Sequence, residues 1–263
     1  MITVKIHGGL GNQLSQIASI YSFASDHNDE CAFNFNVPCI NQGNSPIVYR
    51  DTVFKKLKDL PPWWKAKSFY KEPNYGFNNI PYNKSGMLLH GYFGNIKYFD
   101  HRREEILSLF KDENIIKYLQ QKYSKVLKNS VSLHIRRGDY FNFPKVYYIL
   151  DVDYYDKAIA FLEKQVIIEN IVVVSDDIPW CRENLHDPRI TFIDGYIDYI
   201  DMYILSLCNY QIMANSSFSW WGSYLNDYKN KIVCAPKHWF KDGGLPHEKY
   251  VMCPNWVLID NQI

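Results

Sequence analysis

Short apolar runs of strand length alternate along this chain with stretches whose apolar residues recur at helical spacing, and that alternation leaves few folds open. Residues 2–6 form such a run, the glycine-rich His7-Gly8-Gly9-Leu10-Gly11-Asn12-Gln13 follows, and Leu14, Ile17, Ala18 and Tyr21 then recur on one helical face. The pattern predicts strand, tight turn and helix. A helical pattern over 102–127 leads to a strand at 131–135, and a helix over 154–162 leads to a continuous apolar run at 167–174. Helix over 201–208, strand over 211–214, turn at Asn215-Ser216-Ser217, helix over 219–225 and strand over 232–235 complete the series. Runs that are apolar throughout belong to strands covered on both faces, so parallel sheets with helices on either side are expected. The halves divide most naturally into 1–128 and 129–263, with a last helix free to cross back. Residues 30–90 lose periodicity and collect Pro, Asn, Tyr and Lys, which reads as loops and short elements facing an acceptor.

Bulk properties narrow the partners. The 263 residues carry 29 basic and 28 acidic side chains, a net charge of +1, so no overall field draws the chain to nucleic acid or a membrane surface. Any phosphate must be held by local placement. No stretch reaches the length of a membrane span, no leader-like segment opens the sequence, and a cytoplasmic protein with at most a loose association with a membrane is expected. The sequons at Asn83 and Asn215 are then idle. Six cysteines without a Cys-x-x-Cys pair argue for buried thiols rather than a zinc or redox site. The 21 Tyr, 15 Phe and 7 Trp suit stacking on sugar and base rings, although most should fill cores.

Three segments could carry chemistry. His134-Ile135-Arg136-Arg137-Gly138-Asp139-Tyr140 stands where a strand ends, and ligands of open α/β sheets bind at the carboxyl ends of strands. Strand alternation puts His134 and Arg136 on one face and turns Arg137 away. Arg136 can clamp a pyrophosphate with its planar fork, or it can be a structural arginine bridged to Asp139; the residues alone support both. Asn215-Ser216-Ser217-Phe218 opens a helix, either as an anion cradle or as an ordinary serine cap. The glycines at 8, 9 and 11 do not follow G-x-G-x-x-G, which disfavours a dinucleotide-binding dehydrogenase, and no G-x-x-x-x-G-K-[ST] run is present for a P-loop kinase. They let backbone approach a ligand, with Asn12 and Gln13 offering amides into a cleft. Neither Asp151-Val152-Asp153 nor Asp176-Asp177 reads as a metal site: Asp153 begins a helix as its cap, and Ser175-Asp176-Asp177 at a strand end binds ligand hydroxyls or caps the helix at Ile178.

Taken in order, Gly8-Gly9-Leu10-Gly11-Asn12-Gln13, His134 to Tyr140, Ser175-Asp176-Asp177 and Asn215-Ser216-Ser217-Phe218-Ser219-Trp220-Trp221 resemble the GGLGNQ, HxRRGDY, SDD and NSSFSWW marks of the bacterial-type α-1,2-fucosyltransferases, glycosyltransferase family 11. The flanking Tyr154-Tyr155, Asp201-Met202-Tyr203, Ala235-Pro236-Lys237 and Asn255-Trp256 extend the resemblance over nearly the whole chain. One departure is Ser15, where the family commonly carries an aromatic residue. The resemblance implies a GT-B-like α/β fold with a cleft between two Rossmann-like halves. It implies inverting transfer of L-fucose from GDP-fucose to the 2-hydroxyl of a galactose-containing glycan, without metal or other cofactor. It assigns the diphosphate to Arg136 with Arg137 in support, guanine or ribose to His134 and Asp201, the nucleotide pocket to Asn215, Ser216, Ser217 and Phe218, and the reacting sugar to Asn12. Asp176 joins the donor site, and Asp139, His7 and Asp176 are the candidate bases. Rival readings are a transferase of another nucleotide sugar and a catalytically silent carbohydrate-binding protein.

Overall fold

A computed structural model describes residues 1–39, 43–241 and 252–262. The chain divides into two compact units, one over Met1–Asp112 and one from Glu113 onward. The sequence reading set that division at 128/129. It falls earlier because Asp112 is buried in an ion pair with Lys55 at 2.6 Å, while the helix that begins at Glu113 packs on an element of the second unit.

The first unit holds strand β1 (Thr3–Val4), helix α1 (Leu10–Asp26), strands β2 (Ser68–Lys71) and β3 (Met87–His90), and helix α2 (Arg103–Phe110). Its three strands pair in parallel in the order β1-β3-β2. The helix α1 starts inside the glycine-rich run, earlier than the apolar spacing indicated, with Gly9 as its N-cap. Gly8 adopts φ +78°, and a Cβ there would meet the Asn12 amide at 2.7 Å, so only glycine turns the chain here. Ser15, at the departure from the family pattern, is buried and returns its hydroxyl to Gly11 O at 3.1 Å. β2 and β3 lie in the region expected to be loops and short elements; at four residues each they leave no periodic signal.

The second unit begins with α3 (Glu113–Lys122) and continues with β4 (Ser130–Ile135), α4 (Val152–Glu163), β5 (Asn170–Ser175), α5 (Ile178–Asn184), β6 (Ile190–Ile193), α6 (Asp198–Leu207), β7 (Tyr210–Ile212), α7 (Ser217–Tyr224), β8 (Val233–Pro236) and β9 (Val257–Ile259). The helix expected over 102–127 is thus two helices, α2 and α3, which fall in different units. Six parallel strands run in the order β6-β5-β4-β7-β8-β9. The chain lays down β4, β5 and β6 outward in one direction, returns to the other side of β4, and adds β7, β8 and β9. That is the doubly wound order, with its switch point between β4 and β7. The last described element is this edge strand, not the helix expected to cross back.

β4 sits between β5 and β7 and is buried at every position, with Val131, Leu133 and Ile135 on one face and the small or polar Ser130, Ser132 and His134 on the other. Val131, Leu133, Ile135, Ile171 and Val173 pack with Tyr154, Tyr155 and Leu162 of α4. The two buried tyrosines are not left with orphan hydroxyls: Tyr154 donates to Met213 O at 2.7 Å and Tyr155 to His134 O at 3.3 Å. On α7, Trp220 and Trp221 are buried, and Gly222 allows close approach to α6, since a Cβ would lie 2.9 Å from Leu205 Cβ.

Candidate donor site

Both strands that flank the switch point end in the motifs singled out by sequence. β4 delivers Arg136 and Arg137, and the loop after β7 delivers Asn215 and Ser216. Tyr140, in the 3₁₀ turn that follows Gly138, ties these ends together: its buried hydroxyl donates to Asn215 O at 2.6 Å, and its ring stacks on Tyr147 at 4.0 Å. Sequence reasoning included Tyr140 in the motif without giving it a role. The partner lies 75 residues away, and no local signal reports such a tie.

Arg136 keeps about a third of its side chain exposed, with Asp139 at 2.7 Å and Asp176 at 3.3 Å. The Asp139 contact is close but out of hydrogen-bond line, since its Oδ1 makes no aligned bond. Asp176 also accepts from the Arg137 N–H at 2.9 Å. Gly138 makes room for it, because a Cβ would stand 2.8 Å from Asp176 Oδ2. The Arg137 guanidinium lies 3.8 Å over the Trp180 ring and pairs with Asp177 at 3.4 Å. The two arginines are therefore differently employed. Arg137 lies on the Trp180 ring and is mostly covered, whereas Arg136 has Nη2 against Asp139, Nε against Asp176 and about a third of its side chain exposed.

His134 is buried, its ring 5.2 Å from Phe218 and its Nδ1 without a protein partner. Burial, reinforced by Arg136, lowers its pKa to about 3, so the imidazole is neutral at physiological pH. Ser216 caps α7, accepting from Phe218 N at 3.3 Å, and Ser217 is the first helical residue. Asn215 gives its amide nitrogen to Tyr148 O and Trp239 O, both at 2.9 Å, and so braces the loop. Asp177 caps α5 through Trp180 N at 3.2 Å, and the cap expected of Asp153 falls instead to Asp151, with Asp153 in the first turn paired to Lys157. Asp201 is mostly buried in the first turn of α6, its Oδ1 without a partner. Burial, then Asp198 and Asp194, push its pKa up to about 7.

The second unit thus offers a part-exposed guanidinium, a helix start, a neutral imidazole and an aromatic ring around one strand switch, the parts a phosphorylated nucleoside needs. Among the described residues no group of three or more His, Cys, Asp or Glu side chains converges as a metal site would, and no helix is long and apolar enough to cross a membrane. His7 and Asn12 belong to the first unit. Asn12 lies against Gly8, but Gln13, expected to offer an amide, is fully buried and spends its nitrogen on Gly8 O and Asn44 O.

The family model for glycosyl transferase family 11 matches residues 1–260. The chain belongs to that family. As a family 11 glycosyltransferase it is 37% identical to the Escherichia coli O-antigen biosynthesis glycosyltransferase WbnK over 76% of this chain and 70% of that one. It is 28% identical to an Escherichia coli alpha-1,2-colitosyltransferase over 99% of both chains, and 25% identical to rabbit (Oryctolagus cuniculus) galactoside alpha-(1,2)-fucosyltransferase 2 over 86% of this chain and 67% of that one. Among solved structures it is similar to the fucosyltransferase NodZ from Bradyrhizobium, with TM-score 0.52, 11% identity and coverage of 84% and 91%. It is also similar to POFUT1 in complex with GDP, with TM-score 0.50, 13% identity and coverage of 100% and 98%. The fold of this family 11 glycosyltransferase is therefore the GT-B α/β fold of those fucosyltransferases.

Proposed function

We propose that this glycosyltransferase moves L-fucose from GDP-fucose to the 2-hydroxyl of a galactose-containing acceptor, with inversion and without a metal, in the synthesis of a surface or secreted glycan. The observation that carries the reading is the part-exposed Arg136 guanidinium at the β4/β7 switch point, in the same unit as the start of α7 and the His134–Phe218 pair. As the bond from fucose to the β-phosphate breaks, negative charge grows on the phosphate. A fixed guanidinium stabilises that charge more in the transition state than in the ground state. Asp139 and Asp176 hold the fork in place beforehand, and an incoming diphosphate displaces the poorly aligned Asp139 contact. Neutral His134 and the Phe218 ring suit an uncharged base or ribose, and Asp201 suits the N–H groups of guanine.

A donor screen read by released GDP, with the product linkage determined by NMR, tests the reading. Arg136→Lys replaces a bidentate fork by a point charge and is expected to lower transfer about 100-fold or more with an unchanged melting curve. An active Arg136→Lys enzyme, or a wild type that binds no GDP in calorimetry, would overturn it. The full-length likeness to a colitosyltransferase favours a second reading, a related sugar on the same nucleotide. GDP-fucose and GDP-colitose compared in the same screen separate the two.

A further inference from the structure

The carboxyl edge of the first unit's sheet gathers four half-buried rings. The His7 ring lies 5.2 Å from His90 and 4.8 Å from Tyr92, and Tyr92 lies 5.5 Å from Tyr75. Core-filling rings in the same segment are fully covered, Phe93 at 0% exposed and Tyr98 at 7%, so this outer set is not simply more core. The backbone that presents Tyr92 is held at some cost. Glu72 accepts from Tyr92 N at 2.7 Å and Phe93 N at 3.0 Å, although burial pushes its carboxyl up against the pull of those amides. Gly91 is required, because a Cβ would stand 2.4 Å from Glu72 Cβ and 2.5 Å from its Oε2. Phe93 adopts φ +47°, a region that bulky residues rarely enter, and Ser19 donates to its carbonyl at 2.9 Å. Strained backbone, a half-buried carboxylate and a glycine-only contact thus surround three consecutive residues, a combination that clusters at functional segments.

His7 is set with equal care. Gln16 grips its backbone from both sides, accepting from His7 N at 3.0 Å and donating to His7 O at 3.1 Å. The His7 Nδ1 sits 2.9 Å from Lys5 O and 3.2 Å from the Gln16 amide nitrogen; in the tautomer that donates Nδ1–H to Lys5 O, Nε2 is an acceptor.

We propose that this rim is the acceptor subsite: Tyr92 and Tyr75 stack on the apolar face of a pyranose, and His7 Nε2 accepts the hydrogen of one of its hydroxyls. The inference rests on the transferase reading for the identity of the sugar as acceptor, but not for the binding itself. The first test titrates methyl β-galactoside into the donor-free protein and follows saturation-transfer NMR. Wild type is expected to give a signal that Tyr92→Ala loses and His7→Ala weakens, with His7→Gln, which keeps an acceptor oxygen, partly restored. A second test measures kinetics with lactose. Tyr92→Ala is expected to raise the acceptor KM about tenfold or more while GDP affinity by calorimetry stays at the wild-type value. Equal NMR signals in folded wild type and Tyr92→Ala, or an acceptor KM unchanged by Tyr92→Ala, overturn the subsite. Loss of GDP binding in the wild type with the Tyr92-dependent sugar signal intact overturns the donor reading and leaves the subsite standing.

Discussion

Asp201 shows how tucking one carboxyl away without a partner costs stability. The folded chain keeps a proton on this carboxyl up to about pH 7, whereas an unfolded aspartate releases it near 4. The folded state binds more protons between those values, so the group's favourable contribution is full at low pH and is lost as pH rises through about 7. Asp201→Asn is therefore expected to be more stable than wild type by roughly 2–4 kcal/mol at about pH 8, with the gap closing near pH 4, in urea unfolding across that range. A gap that does not change with pH would mean that Asp201 is solvated or paired in solution. The sequence marked Asp201 only through its family likeness; its burial beside Asp194 and Asp198 is a product of how α6 packs. Glu72 was not singled out at all, because a lone glutamate in an aperiodic stretch looks like any surface charge until the Tyr92 and Phe93 amides are seen to converge on it.

At the level of elements, sequence periodicity works where a strand is buried on both faces. β5 stands out by its run Ile171–Val174, β4 by Val131, Leu133 and Ile135 on its α4 side, α4 because its apolar face meets that sheet, and α7 because its buried face meets α6. β2 and β3 are hidden because four residues carry no period, and the break between α2 and α3 because it depends on a buried ion pair between distant residues, Lys55 and Asp112. The donor-site loops depend on a similarly distant tie. Tyr140→Phe removes the hydrogen bond to Asn215 O and leaves that buried carbonyl unsatisfied, an expected loss of about 1–3 kcal/mol. The variant should also bind GDP more weakly, since the Arg136 and Ser216 loops are no longer latched. Thermal melting together with calorimetry checks both. A variant destabilised but with wild-type GDP affinity would confine Tyr140 to folding.

The molecule as a whole is two compact units with separate parallel sheets, and the proposed ligands divide between them. GDP alone should slow amide exchange at the carboxyl ends of β4 and β7 and at the start of α7, while β1 and β3 exchange as before; hydrogen exchange with mass spectrometry reads this directly. Protection confined to the first unit would reverse the assignment of donor and acceptor. The fold class and most motif positions could be read from one sequence because each unit's sheet is built from local β-α repeats. What could not be read is whatever two remote segments make jointly. The latch from Tyr140 to Asn215 gives that a biosynthetic consequence. A nascent chain halted between Arg137 and β7 already carries both arginines but has nothing across the switch point to complete the proposed nucleotide pocket. Truncated translation products and early folding intermediates would therefore leave the cell's pool of activated sugar untouched.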